Sequence, residues 1–179
     1  MGHHTLSVRR MSTQDWPAYR DLRLRALADA PDAFGSLLEY EQTRSDTDWR
    51  ERVATAAESP RQYPVFAVSG EELIGLIWGR LDHDQPTAAH IFQLWVAPAH
   101  RRTGAGELLL NSVVEWARAA NARTLDLRVT TGDTPATRLY ERAGFRPTGH
   151  VEPLRPGSPL KSQRMRLDLR TVADERHQR

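Results

Sequence analysis

Apolar and polar positions alternate from the start of the chain. TLSVRR at residues 5 to 10 reads as a half-buried strand. The period then lengthens to that of a helix: Trp16, Tyr19, Leu22, Leu24 and Leu27 recur at helical spacing, Thr13 is placed to cap, Pro17 falls in the first turn and Pro31 ends the run. A shorter helix is expected over Phe34 to Glu41. A third follows from Ser45, where Asp48 three residues on makes an acidic capping box and Trp49, Val53, Ala56 and Ala57 form an apolar stripe down to Pro60.

The middle of the chain changes period. Residues 64 to 69 and 73 to 81 are β-branched and aromatic runs joined at Gly70-Glu71, which predicts a hairpin. After the polar loop DHDQPT (82 to 87), AHIFQLWV at 89 to 96 is a third strand stopped by Pro98. Leu108, Leu109, Val113, Trp116, Ala117 and Ala120 give a helix over 104 to 120, and TLDLRV at 124 to 129 a strand. Thr134-Pro135 starts a last helix that Gly144 closes, before strands at 145 to 151 and 163 to 169. The pattern predicts one α/β domain over residues 1 to 169. Residues 170 to 179 have little to bury and are expected to fray.

With 179 residues, 39% of them hydrophobic, the chain can bury its own core. It has no cysteine, which excludes disulfides, thiolate metal sites, a cysteine nucleophile and an enzyme-bound thioester. The 25 basic residues, all arginine except Lys161, stand against 23 acidic ones and are interspersed with them, so nucleic acid is not an expected partner. No apolar run reaches the roughly 20 residues that cross a bilayer, and the N-terminus lacks a secretory pattern, so a cytoplasmic protein without membrane partners is expected. His3-His4 and Asp82-His83-Asp84 lack metal-site spacing, so no metal is expected.

Chemistry concentrates after the third strand. Arg101-Arg102-Thr103-Gly104-Ala105-Gly106 leads into a helix, whose first N–H groups and positive dipole end can hold an anion that glycines let approach. The same turn also suits a plain tight strand-to-helix connection. It fits neither the Rossmann nor the Walker pattern. Arg101-x-x-Gly104-x-Gly106, followed by helix, strand and a helix ending Leu139-Tyr140-Glu141-Arg142-Ala143-Gly144-Phe145, resembles the GNAT superfamily of acyl-CoA-dependent N-acetyltransferases, whose motifs are [Arg/Gln]-x-x-Gly-x-[Gly/Ala] and Leu-Tyr-x-x-x-Gly-Phe. Leu24-Arg25-Ala26-Leu27 and Pro31 to Ser36 are similar to members whose first helices wall the acceptor site.

The resemblance implies an α/β (α+β) GNAT-like fold, a mixed and mostly antiparallel sheet flanked by helices, in which the strand at 89 to 96 bulges and splays from the parallel strand at 124 to 129. Pantetheine would lie in the split against the main chain of Leu94, Trp95 and Val96, with the Leu94 N–H polarising the thioester carbonyl. Pyrophosphate would rest on Arg102, Thr103, Gly104, Ala105 and Gly106, aided by the guanidinium of Arg101 or Arg102. Tyr140 matches the family's general acid; a phenol near pKa 10 can protonate a thiolate whose acid is near about 8.5. Read as residues alone, Tyr140 also suits a core position. The strand position that often carries glutamate is here His90, a base or a merely hydrogen-bonded histidine. Where the family often has asparagine before the last helix, this chain has Asp133, which can accept from a pantetheine amide and cannot donate.

Phe34, Glu39, Glu41, Trp78 and Gln93 are the expected acceptor-side residues, although the tryptophans equally suit the core. The implied reaction is direct acetyl transfer from acetyl-CoA to a primary amine, a small molecule by preference. A protein N-terminus or lysine, and a non-catalytic acyl-CoA sensor, are the alternatives, and a homodimer is compatible with the family. Family membership fixes the donor and leaves the amine open.

Overall fold

Strand alternation builds a sheet with two buried faces. Val65, Ala67, Ile74 and Ile77 turn toward one layer of helices, and Phe66, Leu76, Trp78 and Trp95 toward the other. The computed structural model describes residues 5–170; His3-His4 and the expected tail beyond Arg170 lie outside the described residues. In chain order the elements are β1 (Leu6–Arg10), α1 (Trp16–Asp29), α2 (Leu38–Glu41), α3 (Asp46–Glu58), β2 (Gln62–Ser69), β3 (Glu72–Leu81), β4 (Ala88–Val96), α4 (Ala105–Ala119), β5 (Thr124–Thr130), α5 (Pro135–Arg142), β6 (Arg146–Pro153) and β7 (Lys161–Asp168). The sheet order is β1-β2-β3-β4-β5-β7-β6. Every pairing is antiparallel except β4 with β5, which is parallel, so this is the mixed, mostly antiparallel α/β fold that the resemblance implies.

Two details of β4 shape the molecule. Its ladder with β5 runs only from Ala88–Thr124 to His90–Asp126, after which the strands part. Its ladder with β3 slips: Leu76 pairs with Trp95 and Trp78 with Phe92, so Gln93 and Leu94 together oppose Ile77. Gln93 takes φ 60°, a left-handed value uncommon for a residue with a β-carbon. On the face of β4 toward α4, Leu109, Leu110, Val113 and Ala117 are buried with Leu125 and Leu127 of β5. On the other face α1 and α3 pack Tyr19, Leu22, Leu27, Trp49 and Val53 against β2 to β4.

Two expectations change. Thr13 does not cap α1: Ser12 caps a 3-10 turn at residues 13–15, where Asp15 accepts from the Ser12 N–H and hydroxyl at 2.7 and 2.8 Å, and Asp15 takes the N-cap position of α1. The helix expected from Phe34 begins only at Leu38. Phe34 is extended because its carbonyl accepts from Arg155 at 3.0 Å, as does that of Pro31 at 3.1 Å, while Thr130 holds the Asp32 carbonyl at 2.5 Å. These distant side chains satisfy the backbone groups that a helix would have used.

The β3–β4 turn is organised by Asp82, which accepts the backbone N–H groups of Asp84 and Gln85 at 2.9 Å each and contacts His90. The Gln85 N–H first, then His90 and the Asp84 N–H, hold its carboxyl down at about 2. A carboxyl depressed in the fold stabilises above its ordinary pKa, and that contribution is lost as pH falls through the folded value. Asp82→Asn should therefore lower the melting temperature by a constant amount above about pH 5, and the difference should close between about pH 4 and 2 in thermal melts. Gly75→Ala tests the bulge. A β-carbon there would meet the Trp95 carbonyl oxygen at 2.6 Å, so the variant should lose about 1–3 kcal/mol in denaturant unfolding.

Candidate active site

Where β4 and β5 part, a cleft of about 1210 Å³ opens. Its walls come from β4 at Leu94, Trp95 and Val96, from β5 at Leu127 and Val129, and from the facing ends of α4 and α5. Because pairing with β5 stops at His90, the main-chain groups of β4 that face β5 beyond it are left to the cleft.

At one end the chain leaves β4 through a 3-10 turn at Pro98–His100 and enters α4 from Gly104, whose φ is 93°. Arg102 is also left-handed, at 63°. Among the described residues, the backbone N–H groups of residues 102 to 107 have no partner, and Leu108 is the first to bond back, to the Gly104 carbonyl at 2.9 Å. Six unpaired N–H groups at the positive end of a helix fit the diphosphate of a coenzyme A, and open space at Gly104 lets it approach.

The predicted residues here divide. Arg102 is exposed and has no side-chain partner among the described residues, so its guanidinium is available to an anion. Arg101 is committed, donating to the Val96 carbonyl at 3.1 Å and pairing with Asp29. Asp29 also accepts the Trp95 indole N–H at 2.9 Å, and this bond, with Arg101, holds its carboxyl below the usual range. Thr103 braces the turn by donating to the His100 carbonyl at 2.7 Å. Ala105 is buried beneath the turn, and Gly106 lets α4 approach Leu139 of α5. Asp133 binds Arg138 through both carboxylate oxygens, at 2.6 and 2.8 Å, and does not line the cleft.

Tyr140 lies on α5, which Thr134 caps by accepting the Thr137 N–H at 3.1 Å. It is 6% exposed, packs edge-on to Phe145 and lines the cleft. Among the described residues its hydroxyl has no hydrogen-bond partner, and burial alone pushes its pKa up, so at neutral pH it is a phenol with a proton to give.

On the other side of the bulge, His90 Nε2 lies 2.8 Å from Asp82 Oδ2. The ionised carboxylate can only accept, so Nε2 carries the hydrogen and the neutral ring keeps its lone pair on Nδ1. His90, Phe34 and Gln93 line the cleft; Gln93 is tied down by the Tyr19 hydroxyl, which donates to Oε1 at 2.8 Å. Trp78 is buried with its N–H on Gln62 at 3.0 Å, and it faces a smaller adjoining pocket of about 450 Å³. Glu39 is exposed away from the cleft. Glu41 is 2% exposed and lies between Arg44 at 2.8 Å and Arg52 at 3.5 Å, a buried bracket and not a cleft residue.

Sequence reading missed Arg23 and Arg52, both of which line the cleft. One signal was available. Tyr19, Leu22, Arg23, Ala26 and Leu27 form the inward face of α1, and an arginine in that face is a charge placed inside. Among the described residues no helix is long and apolar enough to cross a membrane, and no cluster of three or more His, Asp or Glu could hold a metal.

Residues 16–145 match the Acetyltransferase (GNAT) family. A mycothiol acetyltransferase from Clavibacter sepedonicus is 32% identical over 132 residues, 74% of this chain and 39% of that protein. The chain spans less than half the length of the curated relatives it matches. Among solved structures, a GNAT acetyltransferase from Streptococcus pneumoniae superposes with TM-score 0.76 at 22% identity over 92% of this chain and 99% of that one. Spermidine N-acetyltransferase from Vibrio cholerae, solved with CoA and spermine, superposes at 0.74 with 19% identity over 92% and 95%. At those identities the likeness is one of fold, while the family match extends from the start of α1 past the end of α5 and takes in both ends of the cleft. The chain belongs to the GNAT acetyltransferase family.

Proposed function

We propose that the protein is an N-acetyltransferase that moves the acetyl group of acetyl-CoA directly to the primary amine of a small molecule. The observation that carries this reading is one cleft with a run of unpaired helix-start N–H groups at one end and a buried, partnerless phenol beside it. Acetyl-CoA, as co-substrate, supplies the activated acyl group and leaves as a thiol.

The roles follow from position. N–H groups of residues 102 to 107 and the Arg102 guanidinium hold the diphosphate. The main chain of Leu94, Trp95 and Val96 aligns pantetheine in the split, and the Leu94 N–H steadies negative charge on the thioester oxygen as the amine adds. His90 takes the amine proton on Nδ1, directly or through a water, with Asp82 fixing the ring from behind. Tyr140 gives its proton to the departing thiolate. The amine nitrogen thus gains the acetyl group, the C–S bond breaks, and no acyl group rests on the protein.

Thiol release with a turned-over amine tests the two proton carriers. Tyr140→Phe should lower kcat by about 10²-fold or more, with acetyl-CoA affinity by calorimetry nearly unchanged. His90→Ala should cut kcat at neutral pH by at least about tenfold and recover part of it as pH rises and free amine accumulates. Retention of full turnover by both variants would remove the proposed roles.

A further inference from the structure

Arg23 is a buried charge without a counter-ion. It is 3% exposed, and its Nε and Nη1 atoms are sealed from solvent with no hydrogen-bond partner. Its guanidinium lies over the Phe34 ring, 4.8 Å from the centroid, and the residue lines the cleft. Among the described residues the carboxylate that acts on it electrostatically is that of Glu41, which is already bonded to Arg44 at 2.8 Å and paired with Arg52 at 3.5 Å. That carboxylate is taken up by two other guanidiniums and makes no ion pair with Arg23. Leaving a charge buried and unpaired is strongly destabilising in a folded protein, and a fold keeps such a group where a ligand completes the pair.

The surroundings say what kind of ligand. Arg52, whose side chain is 32% exposed, lines the same part of the cleft and reaches over the rings of Tyr19 and Trp78 at 5.9 and 5.8 Å. Gln93 has its oxygen occupied by Tyr19, so its amide N–H groups are the ones left to donate into the cleft. Donors from α1, α3 and the β4 bulge converge with excess positive charge, which repels a polycation and attracts an anion. A planar guanidinium suits a carboxylate. Phe34 adds an apolar surface beside it.

Building on the acetyltransferase reading, we propose that the acceptor is an amine that also carries a carboxylate, an amino-acid-like molecule whose anionic end sits at Arg23 and Arg52 while its amine faces His90. Arg23 is then the specificity-determining residue of the acceptor site, its missing counter-charge supplied by the substrate.

The test compares glycine, phenylalanine and glutamate with their C-terminal amides and with spermidine, by thiol release from acetyl-CoA and by shifts in melting temperature of the acetyl-CoA-bound protein. The acids should exceed their amides at least tenfold in kcat/KM and stabilise the protein where the amides do not. Arg23→Met and Arg52→Gln should each remove that preference by raising KM for the acid. Arg23→Met should melt no lower than the parent, since it removes an orphaned charge. Equal turnover of acids and amides, or preference for spermidine, would overturn the acceptor assignment and leave the acetyltransferase reading standing. Acid-specific stabilisation lost in both variants, without thiol release from any amine, would uphold the anion site and remove the acetyltransferase reading. An Arg23→Met protein that melts lower and keeps parental selectivity would make Arg23 structural and end the proposal.

Discussion

The hydrogen bond from the Tyr19 hydroxyl to the Gln93 side chain, 2.8 Å long, holds a residue whose backbone sits at φ 60°. That conformation costs on the order of 1–2 kcal/mol for a residue with a β-carbon, and it persists because the neighbours over-determine it. Gly75 leaves room on β3 for the displaced Trp95 carbonyl, and Trp95 is pinned in turn by its N–H to Asp29. The bulge shifts the phase of β4, so Leu94 and Val96 pack toward α4 while Trp95 packs toward α1. A strand bent in this way cannot stay in register with β5, and the pairing that ends at His90 is the cleft's origin.

The arginine-rich composition acquires meaning through the carboxylates that stand opposite it. Asp126 takes Arg166 through two bonds at 2.7 and 2.8 Å, Glu41 brackets Arg44 and Arg52, and Asp29 joins Arg101 to the end of α1. Each pair closes a piece of the sheet's surface where a lone charge would be costly. Among the described residues four arginines that line the cleft fall outside this pattern, Arg23, Arg102, Arg142 and Arg164, with Arg102 at the proposed diphosphate end and Arg23 at the proposed acceptor end. The cleft is thus positive at both ends with an apolar middle of Leu94, Leu127 and Val129, a distribution suited to a long molecule with a phosphorylated end meeting a second, anionic one.

Local chemistry is what the sequence makes readable. The alternation of β2 to β4, the stripe of α4, the Ser45–Asp48 cap and the Gly104 turn all follow from residues within a few positions of each other, and the structure has them. The proposed donor end is readable for the same reason, since its N–H groups belong to one continuous turn. The acceptor end was not. Glu41 reads as an acceptor-side carboxylate, yet Arg52 from another helix encloses it, and Phe34 to Leu37 read as helical, yet Arg155 takes the Phe34 carbonyl. His90 was legible as a type of residue at a strand position, whereas its partner Asp82 depends on how the β3–β4 turn folds back.

This asymmetry has a physical consequence for specificity. Residues 102 to 107 present backbone, which substitution elsewhere barely alters, so the proposed donor end is robust. The proposed acceptor wall at residues 31 to 36 has no α-helix of its own and is held by side chains from β5 and from the turn between β6 and β7. Its shape can therefore change with Thr130 or Arg155 while the donor turn and Tyr140 stay in place. In the proposed reading the orphaned Arg23 beside that wall gains its counter-charge from the acceptor, so the donor is held through backbone and the acceptor is recognised through a few side chains.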